Sequence, residues 1–204
     1  MVHYFHPIAF IRQMLLMLDN PDIDLSDPDK WISQFSLPKK GKTNMRCYDT
    51  CVLVLKKYDV SLPVYSYLQT TNENGTVERA NIIQAVIQMV DGSLKNTIHI
   101  KKGIDYIDDQ LEKGNPIIVG LDKEKRKTYN SDNTTEHFVV ITGRKRDNEG
   151  LYYRFFEVGT YEVNKKIKGV NPNNKLYLQE DYNLIGKKPM SKTTYTVTQI
   201  RKNI

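Results

Sequence analysis

EHFVVITGRKRDNEGLYYRFFEVGT, residues 136–160, is read as two strands and the turn joining them. β-Branched and aromatic residues dominate both halves, and the Asp147–Gly150 turn is short enough for a hairpin. Upstream, PIIVGLD (116–122) is a short, strongly apolar strand. Downstream, NKLYLQ and TTYTVTQIRKN add one or two more.

The first half has a different period. ANIIQAVIQMV (80–90) is spaced as a helix that stops at Asp91-Gly92. IDYIDDQLEK (104–113) puts Ile104, Ile107 and Leu111 on one helical face and ends at Gly114. NMRCYDTCVLVLKKY (44–58) predicts a helix capped by Thr43 or Asn44. Asp27-Pro28 opens a short helix through about Phe35, with proline at the first helical position. At the front, MVHYFHPIAFIRQMLLMLDN predicts an amphipathic helix from Pro7 with Ile8, Ile11, Leu15 and Leu18 on one face. Arg12 and Gln13 interrupt its apolar run and no basic leader precedes it, so it is not read as a secretory signal. Helices first and an antiparallel sheet second predict an α+β fold. The 204 residues are expected to form one domain: an N-terminal helical extension (1–42), a core (43–160) and C-terminal strands (161–204).

Two cysteines are too few for a disulfide scaffold. An i,i+4 disulfide within a helix would be strained. The four histidines show no metal-ligand spacing, so no metal or organic cofactor is expected. Cys47 stands where its helix should start, and a helix N-terminus favours a thiolate. Cys51, one turn on, shares a face with Leu55 and is better explained as core. From this stretch alone, Cys47 reads first as a buried structural thiol and only second as a nucleophile. His137 opens a strand after a polar loop, a suitable perch for a general base, although a surface histidine in a hairpin would look the same. Glu157, flanked by Phe155, Phe156 and Val158, is a candidate orienting acid, because a carboxylate among such neighbours needs a partner. Its alternative is an outward-facing edge acid; Asn164 and Asp147 are further candidates for its role.

A cysteine starting a helix, then GNPIIVG, then EHFVVITG, then an acid on the next strand, resembles the papain-like cysteine hydrolase superfamily. Its bacterial double-glycine peptidases and cell-wall amidases are the branches most alike. The resemblance covers roughly residues 43–160. It implies a nucleophile helix packed on an antiparallel sheet, with Cys47 as nucleophile, His137 as base and Glu157 as orienter. The backbone N–H of Cys47 would be half of an oxyanion hole. Gly41 and Lys42 stand where a glutamine often supplies the other half, leaving Asn44 as the nearby amide.

Lys and Arg number 30 against 24 Asp and Glu, a net charge of +6. The clusters LPKKGK (37–42), DKEKRK (122–127) and GRKR (143–146) are read as solvated loops. They lack the interleaved aromatics of a nucleic-acid module, so no nucleic-acid partner is expected. No run of about 18 apolar residues is present, so no membrane insertion is expected. The flanks loosely resemble effector domains exported by bacterial type VI secretion. That implies an antibacterial amidase acting on peptidoglycan in a target-cell periplasm, with a cognate immunity protein as partner. A monomer is expected. A protease or deamidase acting on proteins, and a non-catalytic binding domain of the same fold, are the alternatives.

Overall fold

The computed structural model describes residues 21–38, 46–63, 69–71, 77–79, 81–89, 91–123 and 134–204. The helix expected from Pro7, the capping positions Thr43 and Asn44, and the basic residues 39–42 and 124–127 lie outside them. A two-residue strand, β1 (Ile23–Asp24), is followed by 3-10 turns at Pro28–Lys30 and Gln34–Ser36 and by helix α1 (Cys47–Lys56). Five short strands come next: β2 (Gln69–Thr71), β3 (Val77–Arg79), β4 (Ile82–Gln84), β5 (Val86–Gln88) and β6 (Leu94–Asn96). After helix α2 (Ile100–Glu112) the chain is again strand: β7 (Ile117–Asp122), β8 (His137–Asp147), β9 (Gly150–Phe156), β10 (Lys175–Leu178), β11 (Leu184–Lys187) and β12 (Thr194–Arg201).

Strands β7 to β12 each pair antiparallel with the next, and β12 returns to pair with β7. The result is a closed six-stranded antiparallel barrel. This corrects the expected α+β fold with its papain-like helix-on-sheet arrangement and mostly helical first half: the protein is mostly β. Sequence period identifies strands but not closure. Closure rests on β12, which pairs with β11 and then β4 along one edge and with β7 along the other. A register shift between Val197 and Gln199 lets β12 bend around the barrel.

The expected helix over 80–90 is also overturned, because β4 and β5 occupy it. Five of its apolar residues are Ile or Val, whose branched side chains suit a pleated surface, and Ile83 pairs with Ile200 of β12. The short helix expected from Asp27 reduces to the two 3-10 turns. Its cap is as expected, with the Asp27 carboxylate accepting from Asp29 N–H and Pro28 at the first position.

Strand alternation sorts the core into two. Ile117, Val119 and Leu121 of β7 join Val139, Ile141, Phe155, Tyr195 and Val197 inside the barrel. Ile104, Ile107 and Leu111 of α2 belong to the same cluster. That helix ends at Gly114, whose φ of +80° suits glycine. The opposite face of β7 and β8, carrying Ile118, Phe138 and Val140, is covered by Cys51, Val54 and Leu55 of α1 and by Trp31. Helix α1 therefore lies on the outer wall, with its first residue near the end of β8 that His137 begins.

Candidate active site

Cys47 is the first residue of α1: Thr50 N–H donates to Arg46 O, the first rung of the helix. Cys47 is a free cysteine, partly buried. Two neighbouring side chains fix the helix start against the barrel. The Tyr48 ring meets Phe138 edge-on at 5.1 Å, and the Arg201 guanidinium lies 5.1 Å and 5.3 Å from the centres of those two rings. The residues that follow Cys47 and His137 are thus packed together, which brings the thiol and the imidazole within hydrogen-bonding reach.

His137 is buried and its Nε2–H donates to Glu157 Oε1 at 2.6 Å. With Nε2 engaged, Nδ1 is the ring nitrogen left for sulfur. Glu157 stands one residue beyond the end of β9, not on the strand as expected. It is almost fully buried and accepts two further hydrogen bonds, from Gly159 N–H to Oε1 (2.7 Å) and from Tyr195 O–H to Oε2 (2.8 Å). A buried carboxylate needs such donors to remain charged. The turn is tight: a methyl group on Gly159 would lie 2.8 Å from Glu157 Oε1 and 2.9 Å from His137 Cε1. Its backbone is braced from the segment before α1. Trp31 donates its indole N–H to Glu157 O, Ser33 Oγ donates to Thr160 O, and Gln34 N–H donates to Val158 O.

The electrostatics follow from this geometry. Burial would raise the Cys47 pKa, but hydrogen bonding to His137, the imidazolium charge and the N–H groups of Phe138 and Tyr48 outweigh it and hold the thiol below its ordinary range. Burial would lower the His137 pKa; the charge of Glu157 and the contacts with Cys47 raise it instead to about 10. Glu157 is pushed up by burial and brought below the ordinary carboxylate range by His137, Tyr195 and Gly159. Cys51, fully buried, is driven up by burial and by the nearby charges of Cys47 and Glu157. These shifts all favour the charged forms: thiolate on Cys47, imidazolium on His137 and carboxylate on Glu157.

The structure thus brings Cys47, His137 and Glu157 together, while Asn44 lies outside the described residues. The further candidate acids are elsewhere: Asp147 bonds Lys175 and Tyr177 at the other end of β8, and Asn164 lies in the 3-10 turn Glu162–Asn164. Sequence reasoning missed Tyr195 and Gly159. Tyr195 had a signal: in TTYTVTQ it alternates with Val197 toward the interior, and a buried tyrosine hydroxyl needs a partner. Among the described residues no group of three or more His, Cys, Asp or Glu side chains is placed to hold a metal, and no helix is long and apolar enough to cross a membrane. No family model, curated protein or solved structure matches the chain.

Proposed function

We propose that the protein is a cysteine hydrolase that cleaves an amide bond. The observation that carries this is a partly buried cysteine at a helix N-terminus, its thiol pKa lowered by a neighbouring histidine whose Nε2 is 2.6 Å from a buried carboxylate. Kinship with papain-like hydrolases is proposed on that chemistry and on the order Cys, His, acid along the chain, not on the fold.

In the proposed cycle the Cys47 thiolate attacks the amide carbonyl, forming the S–C bond. The oxyanion that develops faces the helix N-terminus, where the Cys47 N–H is one donor. The His137 imidazolium gives its proton to the leaving amine as the C–N bond breaks. His137, now neutral, takes a proton from water, which attacks the thioester; the C–S bond breaks, releasing the acid and the Cys47 thiolate and restoring the thiolate–imidazolium pair. Glu157 keeps the ring oriented and balances its charge throughout.

The substrate proposed is a peptide crosslink or stem amide of bacterial peptidoglycan, reached by an exported effector and restrained in the producer by an immunity protein. The net charge of +6 suits an anionic wall. Incubation with purified peptidoglycan, followed by mass spectrometry for new free amines, tests the reading. Products from the native protein and none from Cys47→Ala are expected. Products that survive Cys47→Ala overturn the nucleophile. Cleavage or deamidation of proteins with no effect on peptidoglycan replaces the substrate. A Cys47 that reacts at pH 6 no faster than a free thiol makes this a binding domain.

A further inference from the structure

We propose that Tyr195 is a positioning residue of the site, setting the ionisation of Cys47 through Glu157 and His137. The inference rests on the cysteine-hydrolase reading and adds to it a fourth residue, from the strand that closes the barrel.

The carboxylate of Glu157 is served unequally. Oε1 receives two donors, His137 Nε2–H and Gly159 N–H, whereas Oε2 receives Tyr195 O–H. The carboxylate has no water-filled surroundings to replace that donor, because Glu157 is 3% exposed and Tyr195 1%. The hydroxyl cannot turn away cheaply. Tyr195 sits opposite Gly186 on β11, and its ring is tilted against Phe155 (6.1 Å) and His137 (6.0 Å) inside the barrel. Burial and the adjacent Glu157 charge keep the phenol protonated, so it donates at every working pH.

Removing this hydroxyl leaves Oε2 as a buried acceptor without a donor, which favours the protonated acid. A carboxylate that binds its proton more readily supports the imidazolium less, and the proton then rests more often on sulfur. The carboxylate is also released to rotate, so the ring loses its fixed aim. Both effects reach Cys47 through two intervening groups, without contact between Tyr195 and substrate.

The experiment is iodoacetamide alkylation of Cys47 across pH 4–9, read by peptide mapping so that Cys51 does not contribute. Tyr195→Phe keeps the ring and its packing. Its alkylation profile should move to higher pH, with a rate about tenfold lower at pH 6, the scale of one hydrogen bond to a charged group. In a Glu157→Gln background the same substitution should add no further shift, since the charge through which it acts is gone. A Tyr195→Phe profile that superimposes on the native one overturns the role of Tyr195 and leaves the hydrolase reading intact. An equal shift in the Glu157→Gln background also overturns it, as a packing effect. A native Cys47 that titrates as an ordinary thiol overturns the hydrolase reading itself. NMR of the unaltered protein is independent of any variant's folding. The Tyr195 hydroxyl proton should appear far downfield and shift with the His137 ring through one titration; a hydroxyl signal insensitive to that titration refutes the coupling.

Discussion

Strand β8 carries a buried ionic group near each end. At its start, His137 meets Glu157 and the partly buried Cys47. Seven residues on, roughly 23 Å along the strand, Arg144 is 1% exposed. Its guanidinium pairs with Asp108 (2.9 Å) and Glu112 (3.2 Å) of α2, and Tyr153 O–H donates to Asp108. Each group joins a cation, a carboxylate and a tyrosine donor. They differ in what the cation faces. Arg144 is enclosed by its two acids and never gives up its proton, so its network fastens a helix across the barrel. His137 neighbours the partly buried Cys47 thiol, and its proton can move. Buried charge by itself does not mark chemistry; a transferable proton beside a reachable nucleophile does.

The comparison breaks most sharply at the thiol. Cys47→Ala should reduce turnover by a factor of about 10³ or more while changing the unfolding midpoint little, measured by amine release beside thermal melting. Arg144→Met should do the reverse. It should cost about 3 kcal/mol in urea unfolding, because Asp108 is left in an apolar setting without its cation, with activity per folded molecule retained. Gly159→Ala lies between: the added methyl meets Glu157 and His137 at under 3 Å, so turnover should fall about tenfold or more as the ring is displaced, with alkylation of Cys47 reduced alongside. The smallest effect is on stability against pH. His137 has its folded pKa raised from 6.5, so its contribution is complete below 6.5 and is lost as pH rises toward about 10. Glu157 has its folded pKa lowered from 4.5, so its contribution is complete above 4.5 and is lost on acidification through the lowered value. In a Cys47→Ala background, which removes the opposing contribution of the lowered thiol pKa, the site should therefore stabilise most between pH 4.5 and 6.5, read as a melting temperature that declines by a few degrees toward pH 9. Arg144→Met should keep that slope, and His137→Gln should remove it.

Much of this architecture could be read in the sequence where local chemistry decides. The β8–β9 hairpin and its Asp147–Gly150 turn lie where composition put them, and the α2 face of Ile104, Ile107 and Leu111 is buried. The helix bearing both cysteines also forms, though it begins at Cys47 with Arg46 as a cap lacking a side-chain bond. What could not be read was set by distant partners. Ile82–Gln88 fits a helical period as well as a pleated one, and pairing of β4 with β12 and of β5 with β6 decides it. LIGK at 184–187 is too short to declare itself, yet it supplies β11. The cluster GRKR looked like a solvated loop, but Arg144 is buried and Lys145 pairs with Asp24 on β1. Convergence at the candidate site was foreseen for Cys47, His137 and Glu157 through residue type and order. For Tyr195 the sequence signalled only a buried hydroxyl in need of a partner; barrel closure sets which partner it meets.

The clasp of Trp31, Ser33 and Gln34 on the turn after β9 has a consequence for how the protein is handled by proteases. A nick ahead of α1 leaves Cys47, His137 and Glu157 each on its own helix, strand or turn, yet it unties the tether that holds the acid's main chain. On the proposed hydrolase reading, such a clipped molecule should still carry a labelable sulfur while its turnover falls.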